Sequence, residues 1–332
     1  MQIQRIDAET VTDDDIPAIH ELWVAAAAHD RPQDPPPPLS SLVMRLRVLG
    51  PDRRFVHVVA RDGGAVLGHA FARLSLTDNL HLSMVDVRVH PRHRRQGIGS
   101  ALLRELLVAL AAEDRPVLLA ESDAGPAGDG FAAALGVKLV QASRMSLLRM
   151  ADVDWADVTA LAAADHPGYR LEAYDDRVPD ELLDGYARAK TAMNDAPVDD
   201  ADFGDVAYSA EILRAEWDRA RGMGQPRVVF ARHSGTGDIA AFTEVQVEEP
   251  PRSHQEDTAV VPAHRGSGLG LWVKAEMLVR LRAGRPEVTE LLTGNASSNR
   301  FMLAVNDRLG YRLWSEINGW QGDVAELSAR LG

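Results

Sequence analysis

The chain repeats itself at an offset of 171 residues, about half of its 332, and this duplication confines it to two copies of one domain. Ala60-Arg61 matches Ala231-Arg232, Gly64 matches Gly235, and Ala70-Phe71 matches Ala241-Phe242. Further along, Asp86 matches Asp257, Pro91 matches Pro262, and His93-Arg94 matches His264-Arg265. Gly97-x-Gly99 and Gly268-x-Gly270 keep that register, and after three inserted residues Leu135-Gly136 meets Leu309-Gly310. A period this long is a domain duplication and not a solenoid array. The expected domains are 1–155 and 168–332, with Asp165-His166-Pro167-Gly168 as punctuation between them.

Each copy has the same order of elements, α+β in class. Phe55 to Ala60, the turn Asp62-Gly63-Gly64 and Ala65 to Leu76 form a hairpin; Arg227 to Ala231, Ser234 to Asp238 and Ile239 to Val247 repeat it. A short strand follows (Met84 to Val89; Thr258 to Val261), then a proline, a glycine-bearing loop and a helix. The helices carry apolar stripes with 3.6-residue periodicity, Ile98-Leu102-Leu106-Leu110 and Leu269-Val273-Met277-Leu281. A further strand (Val117 to Ala120; Val288 to Leu292), a helix and a last β-run complete each copy. The proline-rich Arg31 to Pro38 is a stiff surface loop or a lid, and Met193 to Asp205 takes its place in the second copy.

Composition removes several function classes. The chain has no cysteine, which excludes disulfide scaffolds, thiol nucleophiles and cysteine-ligated metals. Its net charge of −13 and 5% aromatic content speak against nucleic-acid binding. The acidic balance favours a cationic small molecule instead. Met1 to Asp7 shows no signal-peptide pattern, and apolar runs such as Trp23 to Ala28 are too short for a bilayer, so a soluble, cytoplasmic protein without membrane partners is expected.

The chemistry is expected at the loop Arg-x-x-Gly-x-Gly, present as Arg94-Arg95-Gln96-Gly97-Ile98-Gly99 and Arg265-Gly266-Ser267-Gly268-Leu269-Gly270. Glycines let successive amides converge, and the helix start adds unpaired N–H groups and a positive dipole end. Together these suit a phosphate or pyrophosphate. The loop is not a Walker motif, having no Gly-Lys-Ser/Thr, nor a Rossmann fingerprint. The first copy adds a basic cluster of Arg88, Arg92, Arg94 and Arg95 beside His90 and His93, fitting a multiply phosphorylated ligand or a solvated turn. No ligand spacing surrounds His93 or His264, so no metal is expected.

Val-x-Val-x-Pro-x-x-Arg-x-x-Gly-x-Gly followed by an apolar helix resembles motif A of the GNAT superfamily of acyl-CoA-dependent N-acetyltransferases. Two such motifs resemble the tandem members, and Thr293-x-Asn295-Ala296-x-x-Asn299 through Gly310-Tyr311 is similar to their motif B region. The resemblance implies two GNAT-like domains, each a mixed, mostly antiparallel sheet flanked by helices. It implies acetyl-CoA as co-substrate, held at its pyrophosphate by the amides of Arg94, Arg95, Gln96, Gly97, Ile98 and Gly99, and of Arg265, Gly266, Ser267, Gly268, Leu269 and Gly270. Val87, Arg88 and Val89, or Thr258, Ala259 and Val260, would pair with the pantetheine arm, and Asn299 would contact the cofactor. Where many members carry an acidic tyrosine, this chain has Ala132 and Asn306.

Gly125 stands in the first copy where Asn299 stands in the second, so the second copy is expected to be catalytic and the first degenerate. The acceptor, a small primary amine, needs a general base. Glu244, assigned by the repeat to the place of Arg73, and His254 are the leading candidates. Asp257, shared with the first copy as Asp86, suggests a structural task, and Glu256 adjoins it. The competing reading is a non-catalytic acyl-CoA-binding regulatory protein. The hydrophobic helices leave room for a homodimer.

Overall fold

The computed structural model describes residues 1–47 and 50–332. The chain divides into two compact units that trade their ends. One comprises Met1–Gln141, Asp200–Gly204 and Asn318–Gly332; the other comprises Ala142–Asp199 and Asp205–Ile317.

The N-terminal unit begins with β1 (Gln2–Ile6), α1 (Asp15–Asp30) and α2 (Leu39–Arg47). There follow β2 (Arg53–Asp62), β3 (Ala65–Ser75), β4 (Leu82–Val89), α3 (Ile98–Ala112), β5 (Val117–Asp123), α4 (Pro126–Leu135) and the start of β6 (Lys138–Arg149). Strands β1 to β4 pair antiparallel and β4 pairs with β5 in parallel. The expected stripe of α3 lies against one face of this sheet, with Ile98, Leu102, Leu106 and Leu110 all buried. Helix and strand approach closely at Gly68, where a Cβ would sit 2.8 Å from Leu102 Cδ1. Helices α1 and α2 cover the opposite face through Ile19, Leu22, Trp23, Leu42 and Leu46. The segment 31–38 between them is not helical. The end of the chain completes this unit: Trp320 Nε1 donates to Ser122 Oγ at 3.0 Å, and Val324 and Leu327 join the core under α3.

The C-terminal unit repeats the plan with α5 (Trp155–Ala162), β7 (Tyr169–Asp175), α6 (Asp180–Lys190), α7 (Ala210–Met223), β8 (Gln225–His233), β9 (Ile239–Val247) and β10 (Arg252–Val260). Then come α8 (Leu269–Gly284), β11 (Glu290–Ala296), α9 (Arg300–Leu309) and the start of β12 (Arg312–Asp323), whose end passes with α10 (Val324–Leu331) to the N-terminal unit. β7 to β10 are antiparallel and β10–β11 is parallel. Ser143 to Arg149 of β6 then adds to β11, antiparallel. The stripe Leu269, Val273, Met277, Leu281 is buried on one face, and Leu183, Tyr186, Leu213 and Trp217 of α6 and α7 pack on the other. Val288, expected to open a strand, is a buried core residue just before β11. Among the described residues no helix is long and apolar enough to cross a membrane.

Candidate active site

Both glycine loops have the same backbone. Gly97 (φ 80°) and Gly268 (φ 73°) precede α3 and α8 in the left-handed region, as do Arg95 (φ 64°) and Gly266 (φ 81°) two residues earlier. Such alternation turns consecutive amides toward one point. The first amides of each helix have no helical acceptor, so each loop presents a concave, positively polarised nest. The motif arginine locks it from behind: Arg94 Nε donates to Val89 O at 3.1 Å and Arg265 Nε to Val260 O at 3.2 Å. Arg94 also grips Asp30 through two contacts of 2.6 Å, and Arg265 pairs with Asp195. The basic cluster is therefore divided. Arg94 and Arg88, the latter on Asp86 at 2.8 and 2.9 Å, are occupied within the protein, whereas Arg92 and Arg95 face solvent. His264 Nδ1 lies 3.0 Å from the Tyr169 hydroxyl, a loop-packing role. Among the described residues no cluster of metal ligands exists.

Beside each nest two parallel strands part. β4 pairs with β5 only from Leu82 to Val85, so Val87, Arg88 and Val89 are unpaired on that side. β10 pairs with β11 only from Arg252 to His254, which leaves Thr258, Ala259 and Val260 in the same situation. Each copy thus joins an anion nest to an open strand edge, the two features an extended chain ending in a pyrophosphate requires.

The copies diverge on the face across from the nest helix. Val89 pairs with Gly68, and its repeat Val260 pairs with Ala241. Ala60 pairs with Gly68 but its match Ala231 pairs with Ala241, because the second hairpin is two residues longer. Glu244 therefore takes the place of Phe71, and the expected correspondence with Arg73 is corrected. In addition, the β9–β10 register slips between Gln255 and Thr258, a bulge at Glu256-Asp257 that the unbroken β3–β4 pairing lacks. Bulges re-aim side chains. Glu256 is exposed, while Asp257 Oδ2 lies 3.0 Å from Lys190 Nζ.

Lys190, a residue the sequence gave no reason to single out, organises this face. It is 5% exposed at the end of α6, 3.1 Å from both Glu244 oxygens and 3.9 Å from Glu216. The Tyr186 hydroxyl also donates to Glu244. Burial opposes the Lys190 charge, but Asp257 and Glu216 outweigh it and raise its pKa. Burial raises the Glu244 carboxyl well above its usual range, with Asp257 and Glu256 adding to the effect. One ammonium cannot neutralise every acid around it. Glu244, a candidate base from the sequence, is thus held by Lys190 and Tyr186. His254 Nδ1 lies 3.2 Å from Glu248; burial pulls its pKa down, but Glu248 and Glu256 carry it above the ordinary imidazole value. Partial desolvation raises Glu256 too, with Asp257 and Glu248 contributing against the pull of His254 and Lys190.

In the first copy the same face is filled by rings. Trp23 Nε1 donates to His69 Nδ1 at 3.1 Å, His69 Nε2 meets His57 Nδ1 at 3.1 Å, and Phe71 packs 6.1 Å from Trp23. Burial lowers His57 to about 4, so this stack is uncharged at neutral pH. In the second copy, Asn299 caps α9 by accepting from Met302 N at 3.1 Å. Asn306 is 1% exposed and bonds Asn295 at 2.8 Å. Tyr311 is fully buried core. Lys274, on α8, is 2% exposed with its Nζ 5.2 Å from the Tyr311 ring, and burial lowers its pKa to about 7.

Comparison with known proteins agrees with this geometry. The profile of the Acetyltransferase (GNAT) family matches residues 16–126. A mycothiol acetyltransferase of Nocardia farcinica is 35% identical over 135 residues, 41% of this chain and 39% of that protein. A mycothiol acetyltransferase of Mycobacteroides abscessus is 30% identical over 272 residues, 77% of this chain and 80% of that protein. Among solved structures, a tandem GNAT protein from the clavulanic acid biosynthesis pathway superposes with a TM-score of 0.77 at 27% identity, covering 97% of this chain and 99% of that one. A GCN5-related N-acetyltransferase from Sphaerobacter thermophilus shares the fold, with a TM-score of 0.65 at 18% identity over 97% and 96% of the two chains. With the nest and the parted strands present twice, the chain belongs to the GNAT family of acetyltransferases, as a member carrying two GNAT domains in tandem.

Proposed function

We propose that the C-terminal copy transfers an acetyl group from acetyl-CoA to the primary amine of a small, cationic molecule. The observation that carries this reading is the bulge in β10, which sets Glu256 in solvent while Asp257 turns onto Lys190. The first copy has no such bulge, and its corresponding face is closed by Trp23, His69 and Phe71. The family profile matches residues 16–126, within the first copy, so the choice of the second copy rests on the bulge and not on that match.

Acetyl-CoA would supply the activated acetyl thioester. The amides of Gly266 to Gly270 would hold its pyrophosphate, and the open edge of Thr258, Ala259 and Val260 would align its pantetheine arm. Glu256, with a raised pKa and access to solvent, takes the proton of the acceptor ammonium. His254 sits two residues away on the same strand and, with its pKa raised by Glu248, tunes that carboxylate. Glu244 positions Asp257 and the bulge through Lys190. Glu216, Glu244, Glu248, Glu256 and Asp257 outnumber Lys190 and His254 here, a field that favours a cationic acceptor.

The second reading, an acyl-CoA-binding protein without turnover, draws on Asn306, a buried amide that is a poor proton donor where many relatives have tyrosine. The two separate in one assay. Full-length protein is mixed with acetyl-CoA and a panel of amines that includes polyamines, amino sugars and the acceptor of mycothiol acetyltransferases, and free thiol is followed. Amine-dependent thiol release is the expected result. Acetyl-CoA binding without release across the panel would establish the second reading.

A further inference from the structure

The ring-filled face of the N-terminal copy ends in an excess of positive charge. Four arginines reach this face: Arg45 from α2, Arg53 from β2, Arg73 from β3 and Arg88 from β4. Two are accounted for, since Arg53 Nε lies 2.5 Å from Asp52 and Arg88 makes its fork with Asp86. Arg45 and Arg73 make no ion pair or side-chain hydrogen bond among the described residues, and the buried Nε of Arg45 has no partner.

The two unpaired guanidinium groups border one floor. The Arg45 guanidinium stands 5.2 Å from the Phe71 ring and 6.0 Å from the Phe55 ring. Arg73 lies directly across from Phe55 in the β2–β3 register and two residues from Phe71, on the same face because side chains alternate along a strand. Burial, with Arg53 and Arg45 nearby, lowers Arg73 to about 10, and Glu121 and Asp52 offset this only in part. Glu121 on β5 acts on Arg73 electrostatically but forms no ion pair with it. In a chain of net charge −13, holding two guanidinium groups over an aromatic floor with only the longer-range fields of Asp86, Glu121 and Asp52 to balance them is costly.

We propose that this face of the N-terminal copy is a binding site for a small oxyanion, with the guanidinium groups of Arg45 and Arg73 as its two arms and Phe55 and Phe71 as its floor. A guanidinium offers parallel N–H donors that match a carboxylate or a phosphate, and both chemistries satisfy the geometry. The site is separate from the glycine loop of the same copy, and it does not depend on which copy performs catalysis. The duplicated domains would then have opposite tastes: cations at the bulged strand of the second copy, anions at the paired strands of the first.

The test uses the full chain with CoA saturating, so that the glycine loops cannot accept the probe. Inorganic phosphate and succinate are titrated separately, by calorimetry and by thermal shift, since a ligand that binds only the folded state raises its stability even when heat is absent. At least one probe is expected to bind, and the one that does identifies the source chemistry. Arg73→Met and Arg45→Met should each weaken it by roughly tenfold or more, the loss of a charge-assisted contact. Glu121→Gln should tighten it, and this variant keeps the test decisive if an arginine variant fails to fold. Silence of both probes in both assays overturns the proposal. So does binding that is indifferent to all three substitutions, which would place the anion elsewhere.

Discussion

Glu256→Gln is expected to lower kcat/KM for amine acetylation by about a hundredfold to ten-thousandfold, the range for a lost general base. The amide keeps the size of the side chain and its exposed position but cannot accept a proton. Because the Glu256 carboxyl is raised above its usual range, the wild-type rate should climb with pH through an ionisation above the ordinary glutamate value. That rising limb should disappear in the variant. His254→Ala removes the neighbour that pulls Glu256 down, so it should shift the limb upward while sparing most of the rate. Glu244→Gln should act mainly on KM and stability. If Glu244→Gln abolishes the rising limb while Glu256→Gln leaves it in place, the roles assigned to these two acids are reversed.

Lys190→Met should destabilise the C-terminal unit by about 3–5 kcal/mol, the cost of leaving buried charge without its partner. Lys190 is 6% exposed in its side chain and holds Asp257 at 3.0 Å and Glu244 at 3.1 Å. Its folded pKa is raised, so its contribution is complete below the unfolded lysine value and is lost only as pH rises through the folded one. The sign is opposite for the variant's penalty, which arises from ionised acids. Urea unfolding should show the loss shrinking as pH falls and Glu244 takes up a proton. Glu244 has a raised folded pKa, so its protonated form favours folding below the usual carboxyl range, and this benefit fades as pH rises. Adding Glu244→Gln to Lys190→Met should recover part of the stability at neutral pH. A single variant as stable as wild type would show that the cluster is not held together by Lys190.

Local features were legible in the sequence because they obey local rules. The stripes of α3 and α8 declare themselves through a 3.6-residue period, and the glycine nests through positions that need left-handed backbone, which the structure places at Gly97 and Gly268. Pairing between distant segments was not legible. A hairpin two residues longer moved Glu244 from the place of Arg73 to that of Phe71 and undid the match of Ala70-Phe71 with Ala241-Phe242, while Ala60 with Ala231 and Val89 with Val260 stayed in register. The slip at Glu256-Asp257 changes which side chains face solvent without leaving a mark in residue types. Lys190 looked like one more polar position on α6; only its packing against α7, β9 and β10 shows three acids around it. The traded strand ends were equally hidden, since Ser143 to Arg149 and Asn318 to Asp323 have the composition of any closing β-run.

The central claim, that the second copy is the working acetyltransferase, is tested most directly by measuring acetyl transfer in Gly97→Asp and Gly268→Asp beside wild type. Each substitution puts a carboxylate into a nest built for phosphate, at a left-handed position where a side chain is already strained. Gly268→Asp should abolish turnover, and Gly97→Asp should leave most of it intact. Turnover that survives Gly268→Asp but vanishes with Gly97→Asp would contradict the account and move the chemistry to the first copy.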